Sequence, residues 1–238
     1  MTRGGLVIGA LFAFLGVSCG AFGSSDTNDK GVDTGAAGVV LRGISKSSGV
    51  NLREIVVQAP EGGRVGGTVW AVIASSRTNV TPPPGFDVVS SDDGYACGPY
   101  GTNMNVFVHA IKEGEPTEYR FGFAGVTVAA ASLITLEGLV TGSTAVETSA
   151  FERVGMSPFQ APKATASGPT YALVTYLVVG EPALTWTVPN GLMRLFEGNG
   201  TAIYGRDVEP GAVIEVAPVQ ASKADACGIV QLALLRRR

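Results

Sequence analysis

The chain has 238 residues, of which 45% are hydrophobic and 16% are charged, and its formal net charge is -3. That length allows one sizeable all-β domain or two small ones, and the scarcity of charge together with 33 glycines argues against long solvated helices. No basic block exists apart from the terminal Arg236–Arg238, which we expect to be a solubilising end, so no nucleic-acid partner is predicted.

Residues 1–19 have the order of an export signal. Arg3 supplies a positive start, and the apolar run over residues 6–17 is too short to span a bilayer as a helix. The segment LGVSC, Leu15–Cys19, resembles a bacterial lipobox, which implies acylation of Cys19 and a lipid anchor in the membrane. Signal cleavage without lipidation and an uncleaved N-terminal arm are the alternatives.

Residues 20–37 are polar and rich in glycine, which predicts a flexible linker. Short apolar runs separated by turn residues follow, and they predict a single β-sandwich over residues 38–238. The candidate strands of its first half, about residues 38–140, are Val39–Ile44, Arg53–Gln58, Thr68–Ser75, Phe86–Ser90, Asn103–Ile111, Glu118–Phe123 and Val128–Glu137. Those of the second half, about residues 141–238, are Ala145–Phe151, Ala172–Val179, Leu184–Val188, Met193–Phe196, Ala202–Arg206, Val213–Val219 and Ala226–Leu235.

One turn motif occurs in both halves. TPPPGFDVV, Thr81–Val89, has a looser copy in TVPNGLMRL, Thr187–Leu195, and each follows a strongly apolar strand. A glutamate–proline pair then occurs in each half, at Glu115 and at Glu209. The ordered recurrence predicts two similar units, each burying one sheet face against the other. The predicted fold is an all-β, antiparallel, jelly-roll-like β-sandwich with pseudo-twofold internal duplication.

The segments GGTVWAVIAS, TPPPGF, EGEPTEYRFGF and ASLITLEGL, with their counterparts in the second half, resemble a jelly-roll-like β-sandwich family of bacterial secreted proteins and phage tail or virion-associated proteins. The resemblance covers about Val39 to Leu235. The chain departs from it at Gly67, where aspartate is usual, and at Phe86, where tryptophan is usual. Because the shared motifs are turns and strands, the resemblance implies a fold and a recognition or structural role, with no catalytic residues to transfer.

Cys97 and Cys227 remain once Cys19 is assigned to lipidation. In an oxidising compartment these two cysteines could form a disulfide, and the alternative is that both are buried free thiols. The only histidine is His109, so a zinc site is not predicted, and no other metal or cofactor site is recognised.

The best candidate for binding is the long glycine-rich segment Ser90–Asn103. Tyrosine faces and carboxylate or amide groups on a loop suit a surface glycan or a protein partner. The candidate ligand-binding residues are Asp92, Asp93, Tyr95, Tyr100 and Asn103. The alternative is a surface excursion pinned by Cys97 that binds nothing.

Catalytic residues are not identified in the sequence. His109 lies in an alternating strand, where a hydrogen-bonded structural histidine is the favoured interpretation. Trp70 and Trp186 have apolar strand neighbours and are expected in the core rather than at a sugar-binding surface.

The expected function is therefore a non-catalytic binding or structural module, exported and held at the outer or cytoplasmic membrane through lipid, or else secreted. The first alternative is a phage virion or tail protein, and the second is a cell-envelope enzyme of unknown type.

Overall fold

In a computed structural model of the protein, the described residues are 38–76, 79–91, 101–178, 181 and 183–238. All of them belong to one compact unit. They are nearly all extended chain, with no α-helix among them and one short 3₁₀ turn at Ser143–Ala145. The predicted all-β class is confirmed.

The first sheet is antiparallel, and its strands come from the first half of the chain. They are β1 (Val40–Gln58), β2 (Thr68–Ser75), β3 (Val80–Thr81), β4 (Phe86–Ser91), β5 (Asn103–Ala110) and β6 (Glu118–Glu137). Their order across the sheet is β1-β6-β2-β5-β4, with the short β3 paired to β6.

The second half of the chain forms a second antiparallel sheet and a small ribbon. The strands are β7 (Val146–Val154), β8 (Ala164–Thr165), β9 (Thr170–Leu177), β10 (Met193–Gly198), β11 (Thr201–Val208), β12 (Val213–Ile214) and β13 (Gly228–Arg236). The sheet order is β10-β11-β9-β13-β7, and β8 pairs with β12.

The two sheets repeat one strand order. Leaving out the short strands, each runs first, fifth, second, fourth, third in chain order. Both third strands carry a register shift, between Val88 and Ser90 in β4 and between Arg194 and Phe196 in β10. The edges also correspond, because β4 lies beside β7 and β1 lies beside β10. This is the arrangement expected of two related units, and their origin by duplication stays a hypothesis.

The jelly-roll part of the prediction is not supported by this strand order. In a jelly roll successive strands alternate between the two sheets, whereas here each sheet is built from one continuous half of the chain. The connection from β6 to β7, through Ser143–Ala145, passes from one sheet to the other.

A central core lies between the sheets. Side chains on alternate positions of the central strands meet there, including Trp70 and Val72 from β2 with Leu173 and Leu177 from β9. Both of these strands are buried along their whole length, as their two-sided apolar pattern predicts.

Each sheet is also covered on its outer face, which the sequence did not predict. On the first sheet the covering is made by the far halves of β1 and β6, which bring Ile55 and Phe121 against Phe107. β1 and β6 have 19 and 20 residues, and register shifts around Leu52 bend them. Each long strand corresponds to two of the predicted strands.

On the second sheet irregular chain supplies the outer cover. Phe159 and Trp186 pack edge to face, with ring centroids 5.1 Å apart, and Trp186 lies over Tyr176 of β9 at 5.5 Å. The predicted strand Leu184–Val188 is wrong: it makes one isolated bridge, Trp186 to Ala221. The alternating pattern arises because Leu184 and Trp186 are buried in the outer core, although the segment is not paired with a regular strand.

Candidate functional site

The most organised polar cluster in the first sheet surrounds His109. This residue lies near the end of β5 and points to the outer face, opposite to its buried neighbour Val108. It pairs across the sheet with Phe86, the first residue of β4, and the two rings stack with centroids 4.7 Å apart and planes at 19°.

Both ring nitrogens of His109 are hydrogen-bonded. Nδ1 lies 2.8 Å from the carbonyl oxygen of Gly85, and Nε2 lies 2.8 Å from Oε1 of Glu115. The same Oε1 accepts from the Tyr119 hydroxyl at 2.9 Å, while Oε2 accepts from the backbone N–H of Lys112 at 3.0 Å. The cluster therefore joins the TPPPGF turn, the end of β5 and the loop before β6.

The hydrogen-bond geometry determines where the protons are. A carbonyl oxygen can only accept, so Nδ1 of His109 donates to Gly85, while Nε2 shares its hydrogen bond with the carboxyl group of Glu115. Burial alone would raise the pKa of Glu115, but the bonds from Lys112 and Tyr119 and the charge of His109 outweigh it, so this pKa lies below its usual value. Burial and the adjacent carboxylate raise the pKa of Tyr119.

This arrangement is structural in character. His109 is 6% exposed, and with both nitrogens engaged it has no free lone pair to accept a proton from a substrate. The hydrogen-bonded surroundings expected for His109 are present. Its partner Glu115 could not be chosen from the sequence, because Glu113 and Glu118 lie within three residues of it.

The predicted binding segment is only partly among the described residues. Asp92, Asp93, Tyr95, Cys97 and Tyr100 lie outside them. Asn103 is described as the first residue of β5, with 3% of its surface exposed, so it lies at the base of the segment.

The strands that carry this segment are held by buried side chains. Nε2 of Gln231, a fully buried residue of β13, donates to Ser90 Oγ at 2.7 Å and to Ser149 Oγ at 2.9 Å. Next to it, Ser91 Oγ donates to Asn105 Oδ1 at 2.9 Å. The point where the chain leaves β4 is thus tied to both sheets.

Of the three cysteines, only Cys227 is among the described residues. Cys227, just before β13, is disulfide-bonded. Cys19 and Cys97 lie outside the described residues, so the pairing of Cys97 with Cys227 and the lipidation of Cys19 stay predictions.

The three terminal arginines are attached to the folded chain, and Arg236 and Arg238 are exposed. Arg236 is the last residue of β13, and the backbone N–H groups of Arg237 and Arg238 donate to Pro169 and Gly138. The Arg237 guanidinium pairs with Asp207 at 3.0 Å. The sequence did not indicate that β13 lies between two strands of its sheet, and this pairing holds the end of the chain in place.

Comparison with protein-family models, with curated proteins and with solved structures gives no match for this chain. Among the described residues, no group of three or more histidine, cysteine or acidic side chains could hold a metal ion. Over the same residues, no helix has the length and apolar character needed to cross a membrane.

Proposed function

We propose that this protein is an exported, non-catalytic β-sandwich, anchored through an acylated Cys19, that displays the segment Ser90–Asn103 for binding a surface glycan or a protein partner. The proposal combines the resemblance of residues 1–19 to an export signal with a lipobox and the positions of Gly38 and Asn103, the described residues next to the two segments, at opposite ends of one sheet.

The placement of these segments is the observation that carries the proposal. The described chain begins at Gly38, whose carbonyl lies against Gly138, and β1 then starts with Val40 opposite Glu137. The candidate segment ends instead at Asn103, opposite Ser75. β2 and β5 are paired over eight residues between these two ends, which corresponds to about 24 Å. A lipid at Cys19 would thus tether the end with Gly38 to a membrane, while the candidate segment leaves the sheet at the far end.

Support also comes from the rigidity of the base. Gln231 binds Ser90 on one sheet and Ser149 on the other, and both lie in buried or half-buried positions. Binding loops work best on a scaffold that fixes their ends, because less conformational entropy is then lost on binding.

Mass spectrometry of the mature protein from its native source tests the anchor. We expect an N-terminus at an acylated Cys19, and a Cys19→Ala variant should lose the lipid and remain uncleaved. An intact start at Met1 or Thr2 in protein recovered from phage particles would overturn the envelope assignment in favour of a virion component.

A glycan array and pull-down from envelope extracts test the binding segment. We expect binding by the parent protein and its loss in the double variant Tyr95→Ala, Tyr100→Ala. Val213→Ala is the matched control, since Val213 is an exposed apolar residue (62%) on the small ribbon of the other sheet. Binding that survives the double substitution would remove this segment from the proposal.

A further inference from the structure

A pocket of about 270 Å³ lies at the end of the sandwich where the described chain begins. Its lining is the turn before β2, Arg64–Gly67, together with Glu137 and Gly138 at the end of β6 and the side chain of Arg238. The volume is slightly below that of typical small-ligand sites, which run from about 300 Å³ upward. It is large enough for a single charged group with a short attachment.

The pocket has an excess of positive charge. Glu137 is its one acidic residue, and Oε2 of Glu137 accepts from Arg42 Nε at 2.7 Å, with Arg64 Nε 3.8 Å from the other oxygen. Arg238 adds a second guanidinium to the lining and forms no ion pair with any described residue. Arg42 binds Glu137 from outside the lining, so the side chains that line the pocket carry two positive charges and one negative charge.

Arg238 is held in position before any ligand arrives. Its backbone N–H donates to Gly138 at 3.0 Å, and its Nη2 donates to the carbonyl of Gly66 at 2.6 Å. A guanidinium has five N–H donors in a rigid fork, so most of them remain to face an anion.

The glycines make room for this arrangement. Gly66 has φ +85°, and a Cβ atom there would lie 3.5 Å from Nη2 of Arg238. Gly138 has φ +89°, and its Cβ would lie 2.9 Å from the carbonyl of Gly38. Both positions therefore favour glycine, and the backbone of Gly66 is open to the guanidinium of Arg238.

We propose that this pocket binds a phosphate-type oxyanion through Arg64 and Arg238. Each planar guanidinium can donate two parallel N–H bonds to two oxygens of a tetrahedral phosphate, which a monatomic halide cannot accept in the same way, and the remaining volume accepts the group that the phosphate esterifies. The source is either a soluble phosphate or a phospholipid headgroup. The lipid source rests on the proposed anchoring, since it requires this end to face a membrane, whereas the phosphate site itself does not.

Titration with inorganic phosphate, followed by NMR of backbone amides at low ionic strength, is the first arm of the test. We expect saturable shifts at Gly66, Gly67 and Gly138 in the parent protein. In Arg64→Gln and in Arg238→Gln the affinity should fall at least tenfold. Both variants should fold, because Arg64 is exposed and the glutamine at position 238 keeps the backbone bond to Gly138.

Arg53→Gln is the matched control, because Arg53 is an exposed arginine in the far half of β1. Its phosphate affinity should equal that of the parent. Equal weakening in the control and in the pocket variants would show nonspecific charge attraction and overturn the site.

Sedimentation with vesicles is the second arm. Phosphatidylglycerol vesicles that bind the parent but not the pocket variants, with phosphatidylcholine vesicles inactive, would identify the headgroup as the source. Absence of variant-sensitive binding in both arms overturns the proposal. Phosphate binding by a protein whose Cys19 proves unmodified would uphold the site while refuting the anchor.

Discussion

His109 and Gly85 are 24 residues apart and share a hydrogen bond of 2.8 Å between Nδ1 and the backbone carbonyl. This contact ties the TPPPGF turn to the strand that follows the candidate binding segment. The stacked ring of Phe86 extends the same contact on the outer face of the first sheet.

Replacement of His109 by alanine should lower the free energy of unfolding by about 2 kcal/mol, because two hydrogen bonds and a buried ring stack are lost. Urea-induced equilibrium unfolding measures this directly.

His109 is the only histidine in the chain, so all imidazole signals in nitrogen NMR come from this one residue. A proton on Nδ1 is expected, because the carbonyl of Gly85 can only accept, and an imidazole without a proton on Nδ1 would contradict the geometry.

Glu115 should make stability depend on pH in the acid range. Its pKa is lowered in the folded state, so its contribution is present above its ordinary value of 4.5 and is lost as pH falls through the folded-state value. The parent should therefore lose stability more steeply below about pH 4.5 than Glu115→Gln does. Glu118→Gln, which breaks an exposed pair with Arg120, is the control and should keep the steep dependence.

The two copies of the turn motif should differ in their tolerance of alanine. Gly85 and Gly191 both have positive φ, +89° and +75°. Alanine at either position should lower the free energy of unfolding by about 1–2 kcal/mol, because its Cβ disfavours this backbone conformation. At Gly85 the new Cβ would also lie 3.2 Å from His109, in a packed ring stack, whereas at Gly191 it would lie 3.4 Å from the end of the long Arg206 side chain. Gly85→Ala should therefore be the more destabilising in thermal unfolding, and the reverse order would refute this account.

The free energy of unfolding should fall more when Gln231 is replaced by a charged residue than when it is replaced by an apolar one. Gln231→Glu removes the donor to Ser90 and Ser149 and places an ionised group in a fully buried position, at a cost of about 3 kcal/mol or more. Gln231→Leu loses the bonds but adds no charge, so its cost should be smaller. Urea unfolding of both variants at neutral and at acidic pH decides this, since the glutamate variant should recover stability when it is protonated.

Peptide mapping without reduction should recover Cys97 linked to Cys227. A loop of about 130 residues (227 minus 97) would then be closed, and its reduction should lower the free energy of unfolding by about 5 kcal/mol, the entropy of closing a loop of that length. Cys97→Ser and Cys227→Ser should show equal losses. A peptide that links Cys19 to Cys227 would contradict both the predicted Cys97–Cys227 disulfide and the proposed lipid on Cys19.

Several elements could be predicted because their causes are local. Thr68–Ser75 was assigned at its observed bounds, since a run apolar on both faces between glycine and polar residues suits a central strand. The turns at Gly85 and Gly191 followed from proline and glycine chemistry. Separate short strands were expected on either side of the bends in β1 and β6, because a bulge and a turn have similar local sequences.

The candidate sites could likewise be predicted only where their causes are local. The sequence indicated that His109 is structural, yet the choice of Glu115 as its partner depends on how the loop before β6 folds back. The pocket at Arg64 and Arg238 brings together residues 174 positions apart and had no local signal.

The sequence by itself determined the all-β class, most strand positions and the repeated turn, because alternation and turn preference act between near neighbours. Only the tertiary structure decided the sheet order, the covered outer faces, the His109 cluster and the arginine-lined pocket. These depend on which strands pair and in which register, and hydrophobic alternation is satisfied equally by many pairings. The buried hydrogen bonds and ion pairs between distant residues exist only in the arrangement that the chain adopts.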